Sequence, residues 1–228
     1  MKKVLVLEDE TDIRDFVVIN LRRSGYMPIE AGSGEEALEL LSKNSDIAIA
    51  VLDVMLPGID GFEVCRKIRA SGSKMGIIML TAMGQEMDKI TGLMTGADDY
   101  ITKPFSVAEL MARIDAVARR LDSNEEPEEE LISYGPFRLN VRNRTIDKNE
   151  KRLKLTQTEF AIMHYFMKNK GKALSRDEIL QDVWGSEYTG DLKIVDVNIR
   201  RLRLKIEDDA TAPTYISTIW GYGYKFGT

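Results

Sequence analysis

Apolar runs that end at polar residues recur through the first half of the chain. The run Ile47–Leu52 is apolar throughout, stops at Asp53 and is followed by the turn Pro57-Gly58. Continuous apolar runs bounded by turn residues predict strands that are covered on both faces of a parallel sheet. Comparable short runs lie at residues 3–7, 27–31, 76–80 and 99–102.

Amphipathic segments separate these runs. Phe16, Val17 and Leu21 share one helical face, and Ser33 with Glu36 forms a capping box that predicts the start of a second helix. Further helices are predicted at residues 62–69, 85–94 and 106–121. Five strands alternating with helices predict a parallel α/β sheet, in which right-handed crossovers place the carboxyl ends of all strands on one edge.

Polar side chains follow four of the five predicted strands. Glu8 and Asp9 follow the first, Asp53 the third, Thr81 the fourth and Lys103 the fifth. Carboxylates that share a pocket repel one another unless a cation neutralises them, and oxygen ligands without His or Cys favour Mg²⁺, with Mn²⁺ as an alternative. A hydroxyl and an ammonium are what a tetrahedral anion needs. The pattern therefore predicts a covalent aspartyl-phosphate at Asp53.

Charge divides the chain. Residues 1–121 carry 15 Lys and Arg against 19 Asp and Glu, residues 122–130 carry six acids and no base, and residues 131–228 carry 17 basic against 12 acidic side chains. This pattern predicts two domains joined by an acidic linker, with a basic second domain that favours nucleic acid. The single cysteine, Cys65, excludes internal disulfides, and no apolar run approaches membrane-span length. We therefore expect a cytoplasmic protein that does not act on a membrane.

The second half combines short strands with helices. Turn residues divide residues 131–154 into pieces typical of a small antiparallel sheet. Capping boxes at Thr156 with Glu159 and at Ser175 with Glu178 predict two helix starts.

The last 35 residues complete a recognisable order of elements. Residues 192–207 combine an apolar stripe with a surface rich in Arg, Lys and Asn, so this helix could enter a major groove. Residues 215–226 alternate around two glycines as a hairpin. Helices followed by a hairpin predict a winged helix-turn-helix domain.

The motifs LDVMLPGIDG, LTA and GADDYITKPF resemble those of the receiver domains of two-component response regulators. The resemblance implies a flavodoxin-like order of five strands and transfer of a phosphoryl group to Asp53 from a histidine of a sensor kinase. It also implies Mg²⁺ held by Glu8, Asp9, Asp53 and the backbone carbonyl of Met55. Many receivers have Asp where this chain has Glu8, and the longer side chain could act as a ligand through a water.

The same resemblance implies how phosphorylation is transmitted. Thr81 and Tyr100 correspond to the switch residues of the family, and Lys103-Pro104 corresponds to its cis peptide. Reciprocal salt bridges between phosphorylated receivers would involve Lys89, Asp98, Asp99, Glu109, Arg113 and Arg120.

The motifs LTQTEFAIM, LSRDEILQDVWG, VDVNIRRLR and GYGYKF resemble the effector domain of the OmpR/PhoB subfamily of transcription regulators. The implied DNA contacts are Lys193, Asn198, Arg200, Arg201 and Arg203 on the recognition helix, with Trp184, Thr218 and Tyr224 near the DNA backbone. Two positions depart from the family: Asn198 stands where His is common, and Trp220 stands where the wing often has Arg. Because Trp cannot neutralise a phosphate, we interpret Trp220 as stacking or as core packing.

The sequence thus predicts a phosphorylation-dependent transcription regulator rather than an enzyme. Its expected partners are a sensor histidine kinase, tandem half-sites in double-stranded promoter DNA, RNA polymerase and, once phosphorylated, a second copy of itself. Three alternatives stay open: a DNA-binding regulator that needs no phosphorylation, a Mg²⁺-dependent phosphohydrolase that uses Asp53 as nucleophile, and a protein-binding effector. Met55 argues against the hydrolase, because no second acid follows Asp53 at that position.

Overall fold

A computed structural model of the chain describes residues 1–82, 95–121, 131–186, 188 and 190–227. The chain forms two compact units, Met1–Leu121 and Asp122–Thr228. Among the described residues, no helix combines the length and hydrophobicity that crossing a membrane requires.

The first unit is an α/β sandwich around one parallel sheet. Its strands are β1 (Lys3–Leu7), β2 (Met27–Ala31), β3 (Ile47–Asp53), β4 (Gly76–Ala82) and β5 (Asp99–Lys103), and its described helices are α1 (Thr11–Arg23), α2 (Gly34–Lys43), α3 (Gly61–Ala70) and α4 (Val107–Leu121). The strand order is β2-β1-β3-β4-β5, and every pairing is parallel. The predicted fold class is confirmed. The helix predicted at residues 85–94 lies outside the described residues.

The core of the first unit follows from the apolar strands. One cluster joins the sheet to α1 and α4 and includes Val4, Val6, Val17, Leu21, Ile49, Val51, Ile78, Leu80, Ile101, Leu110, Ile114 and Val117. Because strands β1, β3 and β4 are buried on both faces, they need no polar alternation, which is why their sequences read as continuous hydrophobic runs.

In its described residues, the second unit contains two antiparallel sheets and three helices. Its elements are β6 (Leu131–Tyr134), β7 (Phe137–Asn140), β8 (Thr145–Lys148), β9 (Lys151–Arg152), α5 (Gln157–Lys168), β10 (Ala173–Ser175), α6 (Arg176–Trp184), α7 (Lys193–Ile206), β11 (Ile216–Ile219) and β12 (Gly223–Phe226). The sheet orders are β6-β7-β8-β9 and β10-β12-β11. The predicted winged helix-turn-helix arrangement is confirmed, but the sequence pattern missed β10, because three residues are too short for a visible alternation.

The predicted helix starts are largely correct in atomic detail. Complete capping boxes begin α5 at Thr156 with Glu159 and α6 at Ser175 with Glu178. At α2 the Ser33 hydroxyl accepts from the backbone N–H of Glu36 as expected, but the Glu36 carboxylate accepts from the N–H of Gly32 at 2.7 Å.

Candidate functional site

Charged side chains meet at the carboxyl end of the parallel sheet, as the strand ends predict. The Lys103 ammonium donates to both carboxylate oxygens of Glu8, at 3.0 and 2.7 Å, and to Oδ2 of Asp53 at 2.9 Å. Glu8 and Asp53 are buried, whereas Asp9 is exposed. One oxygen from each of these three carboxylates lies within 4.8 Å of the others. The structure therefore brings Glu8, Asp9, Asp53 and Lys103 into one pocket.

Burial shapes the electrostatics of the pocket. Burial and, after it, the neighbouring charge of Asp53 raise the pKa of Glu8 to about 7, against the lowering effect of the Lys103 hydrogen bond. Burial alone would lower the pKa of Lys103, but its hydrogen bonds to Glu8 and Asp53 outweigh burial and raise that pKa. Lys103 thus stays a cation between Glu8 and Asp53. The pocket holds three acidic side chains and one ammonium, so a further cation can bind there without excess positive charge.

The acidic oxygens make the pocket suited to a hard divalent cation. Glu8, Asp9 and Asp53 supply oxygen ligands only, the donor type that Mg²⁺ and Mn²⁺ prefer. Asp9, exposed at the rim, leaves a route by which a partly hydrated ion could enter. The residues present therefore fit a magnesium site.

Two further residues, which the sequence does not mark as functional, shape the pocket. Arg14 donates from Nη1 to the backbone carbonyl of Glu8 at 2.6 Å, which holds the loop that carries the acids. A Cβ at Gly61 would lie 2.1 Å from the backbone carbonyl oxygen of Asp53, so only glycine allows α3 to begin so close to that strand end. An arginine one turn into the helix after an acidic loop is a weak signal, and a glycine after Asp60 reads as an ordinary turn residue.

The predicted switch residues lie on adjacent strands. Thr81 on β4 pairs in register with Thr102 on β5, two residues beyond Tyr100. Both Thr81 and Tyr100 are buried. The Lys103–Pro104 peptide is cis. The Met55 backbone N–H donates to Oδ1 of Asp53 at 3.3 Å, so the residue predicted to offer its carbonyl lies beside the acceptor carboxylate.

The second unit presents a narrower basic surface on α7 than the sequence predicts. Lys193 and Arg200 are exposed and Arg203 is half-buried. Asn198, predicted to reach DNA, is fully buried, and its amide donates to the Ile194 carbonyl at 2.9 Å. Asn198 therefore satisfies the helix backbone, and its predicted exposure on the outer face of α7 is wrong.

Arg201 also differs from the prediction. It is buried, and its Nη2 lies 3.1 Å from Oε1 of Glu159, a fully buried carboxylate on α5. Lys205 binds the other oxygen of Glu159 at 2.5 Å. The helical-wheel position of Arg201 predicted a solvent-exposed side chain. The side chain is instead buried and its charge neutralises the buried Glu159 carboxylate, so the predicted exposure is wrong.

Arg203 links α7 to the terminal hairpin β11–β12. Its guanidinium donates to the carbonyl of Ile216 at 3.1 and 2.7 Å and to the Thr218 hydroxyl at 2.9 Å, and it lies 5.5 Å from the ring centroid of Tyr224. The Tyr224 hydroxyl donates to Asp196 at 2.7 Å. Burial and, after it, this hydrogen bond raise the pKa of Tyr224 to about 12. The predicted contacts Arg203, Thr218 and Tyr224 thus form one network that fixes the hairpin to α7.

Comparison with known proteins accounts for both units. Residues 4–115 match the family described as response regulator receiver domain, and residues 149–226 match the family described as transcriptional regulatory protein, C terminal. The sensory transduction protein RegX3 of Mycolicibacterium smegmatis is 40% identical over 227 residues, which cover 99% of both chains. The chain is a two-component response regulator of the OmpR/PhoB type.

Two solved structures share the architecture. A mutant of RitR superposes with a TM-score of 0.77 at 27% identity, covering 99% of each chain. DrrB, a Thermotoga maritima OmpR/PhoB homolog, gives a TM-score of 0.52 at 33% identity over 100% of both chains. Receiver followed by winged-helix effector is therefore the organisation of this regulator.

Several receiver residues predicted to face a second copy already have partners in their own chain. Asp98 pairs with Arg69 at 2.7 Å, and Asp99 pairs with Arg113 at 3.1 Å. Both acids are buried, so in a single receiver they are not available at an exposed surface. Arg113 also binds Glu109 one turn away at 2.7 Å.

The other members of that predicted set are distributed differently. Arg120 is buried, whereas Glu109 is partly exposed. Lys89 lies outside the described residues.

The two tryptophans of the effector domain have opposite environments. Trp184, predicted to lie near the DNA backbone, is only 1% exposed and belongs to the core. Trp220, for which core packing was one interpretation, is 91% exposed at the tip of the hairpin. Core packing is therefore wrong for Trp220, whereas Trp184, for which it was not predicted, packs in the core.

Proposed function

We propose that this response regulator is switched by phosphorylation of Asp53 and then controls transcription at promoter DNA. The observation that supports this most strongly is the convergence of a buried Asp53, the Lys103 ammonium at 2.9 Å and the acids Glu8 and Asp9 in one pocket. A carboxylate flanked by a fixed cation and a divalent-cation site is suited to attack phosphorus.

The transfer uses residues of this chain at each position. An oxygen of Asp53 attacks the phosphorus of a phosphohistidine on a sensor kinase, the P–N bond breaks, and its electron pair stays on the kinase imidazole. Lys103 binds a phosphoryl oxygen through its ammonium, and the Thr81 hydroxyl donates to another. Glu8, Asp9, Asp53 and the carbonyl of Met55 would hold Mg²⁺ or Mn²⁺, which neutralises charge on the phosphoryl oxygens when bound.

The acyl phosphate would change the receiver through its neighbours. Thr81 moves toward the phosphoryl group, and Tyr100, already buried, occupies the space that it leaves. We further propose that phosphorylated receivers form a homodimer through charges on α4, at the start of β5 and in the segment before it. These charges are Lys89, Asp98, Asp99, Glu109, Arg113 and Arg120. Because Asp99 holds Arg113 within one molecule, that ion pair would have to open or be shared for a reciprocal contact.

DNA binding would use the exposed side of α7. Lys193 and Arg200 are exposed on α7, so their charges can reach phosphates and base edges in a major groove. A dimer would place two effectors on tandem half-sites about one helical turn apart. Promoter binding in the cytoplasm would bring the regulator near RNA polymerase, its further proposed partner.

One selection experiment tests this function. The wild-type chain and Asp53→Ala, each incubated with acetyl phosphate and Mg²⁺, are used to select duplexes from a random pool. We expect paired half-sites to be recovered by wild type and to be strongly depleted with Asp53→Ala. Equal recovery by both proteins would favour the regulator that needs no phosphorylation, and failure of both to select DNA would contradict a DNA-binding function.

A further inference from the structure

The tip of the terminal hairpin carries exposed aromatic surface. Trp220, Gly221 and Tyr222 connect β11 to β12, and Trp220 and Tyr222 are 91% and 47% exposed. No residue between Ile216 and Tyr224 is charged. This tip therefore offers apolar contact area and no ionic contact.

Backbone contacts fix the conformation of the turn at the tip. The Tyr222 N–H donates to the Ile219 carbonyl at 3.0 Å across the turn, and Gly221 has a φ of +72° that L side chains rarely adopt. On the next strand, a Cβ at Gly223 would lie 2.0 Å from the Leu174 carbonyl oxygen, so β12 packs directly on β10. Because the backbone of the turn is already fixed, only the aromatic side chains lose conformational freedom when a partner buries them.

The strand that leads to the tip is hydrogen-bonded to α7, the helix proposed to face DNA. Arg203 on α7 binds the carbonyl of Ile216 and the hydroxyl of Thr218, both on β11. The effector domain has a basic excess of 17 Lys and Arg over 12 Asp and Glu in residues 131–228, which draws it to DNA. Because Arg203 joins α7 to β11, a duplex that α7 enters would lie near the hairpin that carries the aromatic tip.

We propose that Trp220 is a minor-groove wedge: its indole inserts at a base step beside the half-site and stacks on a base. This inference rests on the proposed binding of promoter DNA. Apolar side chains inserted from the minor groove partly unstack a step and bend the duplex, and flexible pyrimidine–purine steps deform most easily. Trp220 would thus add sequence preference through DNA deformability, without hydrogen bonds to base edges.

Because Trp220 is uncharged, its contribution to DNA binding should not depend on salt concentration. A neutral wedge releases no counterions, so Trp220→Ala should weaken binding roughly ten-fold, as loss of a stacked aromatic does, while the slope of log K against log salt stays unchanged. Arg200→Ala is the matched contrast, because loss of a phosphate contact should lower that slope by about one. Trp220→Phe should retain much of the affinity, and Trp220→Arg should steepen the salt slope by about one.

The experiment uses the full-length chain treated with acetyl phosphate and duplexes that the wild type selects from a random pool. Affinities are measured at several salt concentrations on matched duplexes that carry either a TA step or a stiff A-tract at the flanking position. Wild type should prefer the TA duplex, and Trp220→Ala should lose that preference. Because the chain has only two tryptophans and Trp184 is in the core, DNA should quench the emission of Trp220 in wild type, and Trp220→Phe should remove the change.

Separate outcomes distinguish the two levels of inference. Selection of DNA by wild type, with equal affinity and equal step preference in Trp220→Ala and no quenching, would overturn the wedge and leave DNA binding intact. The exposed indole would then be available to a protein partner instead. Selection of no DNA by wild type would overturn the DNA-binding function together with the wedge.

Discussion

Replacement of Arg201 by alanine should strongly lower the free energy of unfolding of the effector domain, although Arg201 lies on the recognition helix. Its guanidinium is the partner of Oε1 of Glu159 at 3.1 Å, and that carboxylate is fully buried. Oε2 of the same group is bound by Lys205 at 2.5 Å and by the Thr156 N–H at 2.8 Å. The substitution therefore leaves half of a buried carboxylate without its cation.

The size of the loss follows from that geometry. Removing one partner of a buried ion pair costs about 3–5 kcal/mol, because the remaining charge is left desolvated. Since Lys205 and Thr156 still serve Glu159, we expect a value near the lower end, about 3 kcal/mol. For a domain of this size such a loss corresponds to a fall in melting temperature of more than about 10 °C.

Tryptophan fluorescence measures this loss in the intact chain. Both tryptophans, Trp184 and Trp220, belong to the effector domain, so their emission during urea denaturation reports that domain alone. Arg200→Ala is the matched control, since Arg200 is the adjacent exposed arginine on the same helix. It should change the free energy of unfolding by no more than about 0.5 kcal/mol.

In DNA binding the order of the two effects should be reversed: Arg200→Ala should have the larger effect and Arg201→Ala the smaller. Arg200→Ala should lower the salt slope of binding by about one, whereas Arg201→Ala should leave the slope unchanged once the unfolded fraction is subtracted. If Arg201→Ala were as stable as Arg200→Ala and also lowered the slope, Arg201 would be a phosphate contact, and the buried ion pair would be refuted.

Three further predictions concern the pocket, the receiver core and the wing. Lys103→Ala removes the ammonium that competes with a divalent cation for the acidic oxygens. Mg²⁺ should therefore bind more tightly, as measured by calorimetry, while phosphoryl incorporation is lost. Unchanged Mg²⁺ affinity would contradict the shared pocket. Burial and a 2.5 Å hydrogen bond to Asp115 raise the pKa of Tyr26, so its stabilising effect should be complete below the unfolded pKa of about 10 and fall above it. The difference in unfolding free energy between wild type and Tyr26→Phe should therefore shrink as pH rises past 10, and a constant difference would contradict the shift. Gly223→Ala places a Cβ 2.0 Å from the Leu174 carbonyl oxygen, so the effector should fail to show cooperative tryptophan-detected unfolding, whereas a wild-type transition would contradict that packing.

The strand ends explain why much of the receiver site could be predicted from sequence. Asp53 and Lys103 each follow a buried strand, and a parallel sheet with right-handed crossovers brings such ends together whatever the loops do. Arg14 could not be found in this way, because its contribution is one hydrogen bond to the backbone of Glu8. A pattern of residue types does not reveal which carbonyl a long side chain reaches.

The polar side of α7 shows where sequence periodicity loses information. A helical wheel separates apolar from polar positions, but it cannot show that Arg201 is buried, because its partner Glu159 lies on another helix. Nor does it show that the Asn198 side chain turns to the Ile194 carbonyl one turn back on the same helix. Burial of charge depends on a partner distant in sequence, and the same holds for Asp99 with Arg113 in the receiver. Exposure of Trp220 could not be predicted for the converse reason: a large apolar residue at a turn reads as core until its neighbours are known.

Phosphorylation of Asp53 is the central claim, and intact-protein mass spectrometry tests it most directly. The full-length chain is incubated with acetyl phosphate with and without Mg²⁺, beside Asp53→Ala and Lys103→Ala. Addition of one acid-stable, base-labile phosphoryl group to wild type, dependent on Mg²⁺ and absent from Asp53→Ala, is the predicted result. No added phosphoryl group on wild type, or equal addition to Asp53→Ala, would contradict it.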